Sequence, residues 1–512
     1  MFSDAVIRKN QYYDSVFLMG INNRLMKIPG VLQTAVLMGS EANKQILLDL
    51  GFQNTEINSA TANDLVVAVK AETATARDAV LKHLDGWLTE VSSKNTATQV
   101  HDLREALTQK PDANLVVISV PGEYAAHEAQ KSLEAGKNVF LFSDNVSVED
   151  EVALKRFAGE HGLLVMGPDC GTSILGGVGI GFANVVRKGN IGVIAAAGTG
   201  LQEFTSMVHN AGYGISHAIG TGGRDLSEPV GGITTLTALD ALENDPRTEV
   251  IVILSKPPAA KTLSKLIERF KSRKKPIIGC FLGIPGKIDG EENLFQRAHL
   301  IDDAVKLAID SITRTESPVI RPENQIPIVR PKWSPEQNYL RGVFAGGTFC
   351  YQSQQIFRNA GIRIYSNTPI DNAYRLGHPD QSKENSIVDM GEEYYMVGRP
   401  HPMIDGSQRS FRILKEAQDP QVAILLLDFI LGYNASMDPV GDLIESISKA
   451  REFTGRRGGV LSVVASICGT DEDPQDLTMQ KRMLEENGVI VFQSNARATE
   501  YCVQLLKEVD HV

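Results

Sequence analysis

Short runs of continuous apolar residues, each followed by a helical pattern, limit this chain more than any other feature. They are "NLVVISV" (114–120), "KNVFLF" (137–142), "GLLVMG" (162–167), "IGVIAA" (191–196), "EVIVILS" (249–255) and "KPIIGCFLG" (275–283). A strand whose apolar residues are continuous rather than alternating is buried on both faces, as in a parallel sheet covered by helices. The expected class is α/β, with several parallel sheets. At 512 residues the chain is too long for one core, so it divides into domains.

Residues 1 to about 95 read as a small α/β domain built on "DAVIRK", "VLQTAVLMG" and "DLVVAVKAE". A second unit spans 96–188 and a third 189–320. The proline-rich stretch 316–337 reads as an extended linker, set at 321–338, and a fourth unit runs from 339 to 512. The third and fourth units look like copies. "GVIAAAGTGLQEFTSMVHNAGYGI" (192–215) aligns with "GVFAGGTFCYQSQQIFRNAGIRI" (342–364), and 149 residues separate Thr199 from Thr348 and Gly212 from Gly361. A duplication of this kind predicts two helix starts facing each other across a shared site.

Composition narrows the partners. A net charge of −11 argues against nucleic acid or an anionic membrane as the main partner, but not against small anions at a local site. The five cysteines are widely spaced without a CxxC pair, which fits buried thiols better than a zinc site or a disulfide framework. The amino-terminal stretch does not read as a secretory signal, and no apolar run approaches the roughly 18 residues of a membrane span. A cytoplasmic location is expected.

Several motifs carry candidate chemistry. In Gly198-Thr199-Gly200, glycines open the backbone where a strand gives way to a helix, whose first N–H groups and dipole favour an anion. The plainer reading is a turn with a Thr cap; its repetition at Gly346-Gly347-Thr348 favours phosphate or carboxylate. Gly222, Gly223 and Arg224 offer amides and a guanidinium for an anion, or else Arg224 pairs with Asp225 or a glutamate. Lys256, after a buried strand, lies at the carboxyl end of a sheet, where α/β folds bind ligands; the alternative is a surface lysine. In "VDMGEEYYMVGRPHPMID" (388–405), which the third unit lacks, Pro400 and Pro402 hold Arg399 and His401 extended, as an anion clamp and a proton carrier. Cys170, in "MGPDCGTS", reads as a small buried thiol rather than a nucleophile.

In this order the blocks "VMGPDCGTS", "VIAAAGTGLQEF", "GTGGRDL" and "NDPRTEVIVIL" resemble the nucleoside-diphosphate-forming acyl-CoA synthetases, of which succinyl-CoA synthetase is the type. "GGRDLS", "SKPP" and "VGRPHPMID" resemble the FdrA branch over nearly the whole chain. The resemblance implies a Rossmann-like, CoA-binding-type domain over 96–188 and two flavodoxin-like domains after it. It also places a CoA-like pocket at Pro121, Ser143, Pro168 and Cys170. The sequence departs from the synthetases at the phosphorylated histidine: His299 lacks the Gly-His-Ala-Gly frame, and Lys256 stands where a glutamate would face that imidazole. The early glycine loop for CoA and an ATP-grasp domain are also missing.

The FdrA resemblance implies a subunit of oxamate carbamoyltransferase in anaerobic allantoin breakdown, acting with two further subunits and holding carbamoyl phosphate between the flavodoxin-like domains. Lys256, Arg399 and His401 would be its catalytic side chains; magnesium would suit a site that handles phosphoryl groups, but the sequence offers no carboxylate cluster to hold it and no cofactor is read from it. An acyl-CoA synthetase half completed by a separate ATP-grasp subunit is the alternative. A non-catalytic regulatory or assembly subunit is a third.

Overall fold

In the computed structural model, the described residues are 2–11, 13, 15–26, 28–52, 55–94, 100, 102–314, 331–396 and 399–507. Most of the linker read at 321–338 lies outside them. Two compact units emerge, residues 1–111 with 397–400, and residues 112–396 with 401–512.

The first unit carries β1 (Phe2–Arg8), β2 (Val31–Met38) and β3 (Leu65–Ala71), in the order β1-β3-β2 with both pairings antiparallel. The expected α/β domain is present, but its sheet is not parallel. The continuous apolar run of β3 has another cause. Val67 and Val69 pack with Leu18, Leu25 and Val80 in one cluster, while Val66 and Ala68 pack with Leu47, Phe52 and Ile57 in another. Both faces are covered, so neither face of the strand can be polar.

The second unit holds three sheets. The strands β4 (Leu115–Ile118), β5 (Asn138–Leu141) and β6 (Val165–Met166) form a small parallel sheet. Next come β7 (Thr172–Leu175), β8 (Val178–Gly181), β9 (Lys188–Ala196), β10 (Ile215–Gly220), β11 (Val250–Ser255), β12 (Ile277–Phe281) and β13 (Gln296–Ala298). They form one sheet in the order β13-β12-β11-β9-β10-β7-β8, parallel except for the hairpin β7–β8. Because β7 hydrogen-bonds to β10, the boundary read at 188/189 falls inside this sheet.

The third sheet is wholly parallel: β14 (Tyr339–Phe344), β15 (Tyr365–Ser366), β16 (Ser386–Asp389), β17 (Val422–Ile430), β18 (Ser462–Cys468) and β19 (Ile490–Phe492), ordered β15-β16-β14-β17-β18-β19. Its likeness to the larger sheet is direct. In each, a central strand (β9 or β14) runs into a Gly-Thr helix, Gly198–Asn210 or Gly347–Asn359. One difference shapes the site. In the first half β10, which follows the helix, pairs with the central strand; in the second half β16 is inserted between β14 and β15. The inserted strand ends at Asp389, immediately beside the second Gly-Thr turn.

Candidate functional site

Parallel strands bring their carboxyl ends to one edge, and the loops that follow share that edge. Exposure picks out a few positions there. Asp169 is exposed between buried Pro168 and Cys170, and Gly198 between buried Ala197 and Thr199. Gly223, Arg224 and Lys256 are exposed just beyond fully buried strand ends.

The two Gly-Thr turns meet, as the duplication predicts. A methyl group built on Gly200 would lie 2.8 Å from Thr348 Cγ2, and one on Gly346 would lie 3.0 Å from Thr199 Oγ1. That spacing explains the glycine at 200, where the opposing helix leaves no room for a side chain. Gly200→Ala is expected to push the turns apart and cost about 1–3 kcal/mol, read as a lowered urea midpoint. Thr199 Oγ1 is buried between the turns and has no hydrogen-bond partner.

The turns are not equivalent in charge. In the second, the N–H groups of Ala345 and Gly346 both donate to Asp428, at 2.9 and 2.7 Å. Asp428 is fully buried and paired with buried Arg409 at 2.7 Å. Asp389 stands close by, its Oδ2 2.7 Å from a methyl built on Gly347 and its Oδ1 accepting from Gly391 N at 3.0 Å. Two internal carboxylates therefore already face the second helix start. The first turn leaves more room at its opening glycine: within 4 Å a methyl on Gly198 would meet only Thr172 Oγ1, at 3.9 Å. The first helix start has no side-chain cap.

Lys256 lies 5.6 Å from the ring centre of Tyr351, on the second Gly-Thr helix. Its charge reaches two acids: burial pushes Asp389 and Asp169 each up to about 6, and Lys256 opposes the shift in both. Asp389 and Asp169, one from each side, were not among the residues expected from sequence. Asp169 sits inside the quoted "MGPDCGTS", but nothing local marks its carboxyl as special.

The remaining expected residues divide. Arg224 is committed as its plainer reading had it, to a glutamate: Nε donates to Glu151 at 3.0 Å and Nη2 to Val146 O at 2.8 Å. Glu151 also pairs with buried Lys155, which in turn holds Asp225. Gly222, at φ +82°, packs its backbone against Pro168 O, where a side chain would collide. Around the CoA-like pocket, Ser143 Oγ donates to Val120 O beside Pro121, and Gly122 abuts the Asp144 carbonyl. Cys170 is buried, its thiol directed at Thr172 O and pushed up to about 11 by burial, so it is no nucleophile at neutral pH.

His401 is mostly buried, with Nδ1 accepting from Met403 N at 3.2 Å and its ring 5.6 Å from that of Phe182. Nε2 points at the Gly391 turn beside Asp389. Burial, with Arg409 nearby, lowers its pKa to about 4, so near neutral pH it is an uncharged imidazole rather than a proton donor of the imidazolium kind. Arg399 is exposed, in the short segment 397–400 that groups with the first unit.

Three family models match the chain: "AllF, heavy metal-associated domain" over residues 1–105, "CoA binding domain" over 186–281 and "CoA-ligase" over 343–503. The CoA-binding match thus falls on the strands β9 to β12 rather than on 96–188. The protein YahF of Escherichia coli K12, described as uncharacterized, is 40% identical over 493 residues, which is 96% of each chain. The α subunit of an ADP-forming succinate–CoA ligase from Methanothermobacter thermautotrophicus is 28% identical over 196 residues, 37% of this chain and 64% of that subunit. A dinucleotide-forming acetyl-coenzyme A synthetase from Ca. Korarchaeum cryptofilum shares 18% identity over 77% of this chain and 83% of that one, with a TM-score of 0.33.

The donor set of residues 1–105 does not suit a heavy metal. That stretch has no cysteine, the first being Cys170, and its only histidines are His83 and His101. His83 lies against Trp87, their ring centres 5.5 Å apart. Among the described residues no three His, Cys, Asp or Glu are grouped to hold a metal ion, and no helix is long and apolar enough to cross a membrane.

Proposed function

Because the chain belongs to the family of YahF, within the nucleoside-diphosphate-forming acyl-CoA synthetase superfamily, we propose that it handles an acyl phosphate, as a subunit of oxamate carbamoyltransferase. The reaction is attack of inorganic phosphate on the carbamoyl carbon of oxalurate, giving carbamoyl phosphate and oxamate. The observation that carries the reading is Lys256, an exposed cation that lies 5.6 Å from the ring of Tyr351 on the second Gly-Thr helix and whose charge acts on both Asp169 and Asp389. It suits a free phosphate dianion better than a phosphorylated imidazole. His299, the histidine nearest the family's phosphorylated position, is an exposed residue whose backbone N–H is tied to Asp303 at the start of the helix Ile301–Thr313. The N–H groups after Gly198 and the Thr199 hydroxyl would hold phosphoryl oxygens, while Lys256 offsets charge as the phosphate adds.

The test is phosphate-dependent formation of carbamoyl phosphate from oxalurate by the chain assembled with its two partner subunits. Lys256→Ala is expected to lower that rate about a hundredfold, the scale for losing one preorganised charge-stabilising group. An unchanged rate in Lys256→Ala would remove that assignment. A second reading, an acyl-CoA ligase subunit needing an ATP-grasp partner, is favoured by the CoA-binding and CoA-ligase matches. It predicts CoA binding by calorimetry and a phosphohistidine after exposure to ATP and that partner.

A further inference from the structure

Asp169 reaches the open edge of the site by an uncommon backbone route. The loop after β6 turns at Asp169 with φ +54°, in the left-handed region that residues with a side chain seldom adopt. Its N–H donates to Ser143 O at 3.0 Å, and its neighbours Pro168 and Cys170 are buried. The effect is to lift one carboxyl out of a packed loop. Gly223 borders it: a methyl built there would lie 3.9 Å from Asp169 Oδ2, an ordinary contact distance.

Four charged groups act on it. Lys256 and Arg224 favour the carboxylate, and Asp144 and Glu151 oppose it. Although Asp169 has solvent access, the protein packed around it desolvates the carboxyl enough to outweigh the cations and push it up to about 6, so it exchanges its proton close to neutral pH. Asp389, the other acid within reach of Lys256, is buried and bonded to Gly391 N, which leaves it poorly placed to meet a substrate. Thr199 Oγ1, between the two Gly-Thr turns, is a second polar group without a partner in the same half of the molecule.

Phosphorolysis of oxalurate needs such a group. When phosphate oxygen bonds to the carbamoyl carbon, the C–N bond must break, and an amide anion leaves far too slowly unless its nitrogen gains a proton. We propose, on the carbamoyl-transfer reading, that Asp169 is the proton donor to the departing oxamate nitrogen. The C–N electron pair takes the carboxyl proton and oxamate leaves as a neutral amide. The proton lost by the attacking hydrogen phosphate returns to Asp169, which restores the acid, so atoms and charge balance without a further reactant. Between these steps the carboxylate is stabilised by Lys256 and Arg224.

The experiment uses the full chain with its partner subunits and two substrates, oxalurate and 4-nitrophenyl carbamate, whose phenolate leaves without protonation. In the unaltered protein, oxalurate turnover should fall on a basic limb that the nitrophenyl ester does not show. Asp169→Asn should lower oxalurate turnover about a hundredfold and abolish that limb, yet change turnover of the ester less than threefold. Asp169→Glu should recover part of the oxalurate rate. Ester turnover in the variant also reports an intact fold and phosphate site. Equal loss on both substrates, or an unchanged oxalurate pH profile in Asp169→Asn, overturns the proton-donor role alone. An unaltered complex that cleaves neither substrate in the presence of phosphate overturns the carbamoyl-transfer reading, and the role with it.

Discussion

Arg409→Ala is expected to cost about 3–5 kcal/mol of folding stability, the largest single loss anticipated in this chain. Arg409, on the helix Ser407–Glu416, is 4% exposed. Its Nη2 donates to Val343 O at 3.0 Å, to Asp428 O at 2.6 Å and to Asp428 Oδ1 at 2.7 Å. Asp428 lies on β17, wholly enclosed, and its oxygens also accept the Ala345 and Gly346 N–H groups. Removing the guanidinium leaves that carboxylate in the interior with amide partners but no counter-charge. The penalty is the desolvation of the stranded ion rather than the worth of the pair, so adding Asp428→Asn to the variant should recover part of it. Urea unfolding at neutral pH measures both. A loss below about 1 kcal/mol for the single change would overturn the stranded-ion account. The pair also fixes the second Gly-Thr turn against β17, so any effect on turnover should appear together with the stability change.

The repeat is the part of this site most legible in the sequence. A constant offset between two Gly-Thr pairs is long-range information written into local motifs, and it predicts the contact between Gly200 and Thr348. What each turn holds could not be read in that way. Asp389 and Asp428 lie about forty and eighty residues past the second turn, and only the insertion of β16 beside β14 and the pairing of β14 with β17 bring them to it. An aspartate at a strand end has no sequence signature that tells a site carboxyl from a solvated one. His401 shows the same limit from the other side. Its prolines make a stiff segment legible, but its protonation state depends on burial, which is set by Phe182 and the Gly391 turn. In the first unit, β3 shows that a continuous apolar run reports burial on both faces, not strand direction. Helices on both faces of an antiparallel sheet produce the same pattern.

Asp389→Asn is expected to raise stability at neutral pH by up to about 3 kcal/mol, opposite in sign to the Arg409 variant. Burial pushes this carboxyl from 3.8 to about 6. A raised carboxyl pKa means that the folded chain binds its proton more tightly than the unfolded chain does. Below pH 3.8 both states are protonated and nothing is lost. As pH climbs from there through 6, the unfolded chain ionises first, and stability falls until the full cost is present above pH 6. Asparagine keeps an oxygen for Gly391 N and removes the charge, so the gain should be near zero at pH 4 and complete at pH 7.5. His401 contributes a slope of the other sign. Lowered to about 4, it leaves the unfolded chain to take up a proton first as pH drops below 6.5, so stability falls toward acid, and equally in both proteins. Comparing the two proteins by urea unfolding across that range therefore isolates the Asp389 contribution. A charged acid kept at such a cost beside Lys256 implies a use, and the same substitution should lower oxalurate phosphorolysis while it stabilises the fold. A variant that is both more stable and fully active would make Asp389 a bystander, and would leave Asp169 as the one carboxyl that Lys256 serves.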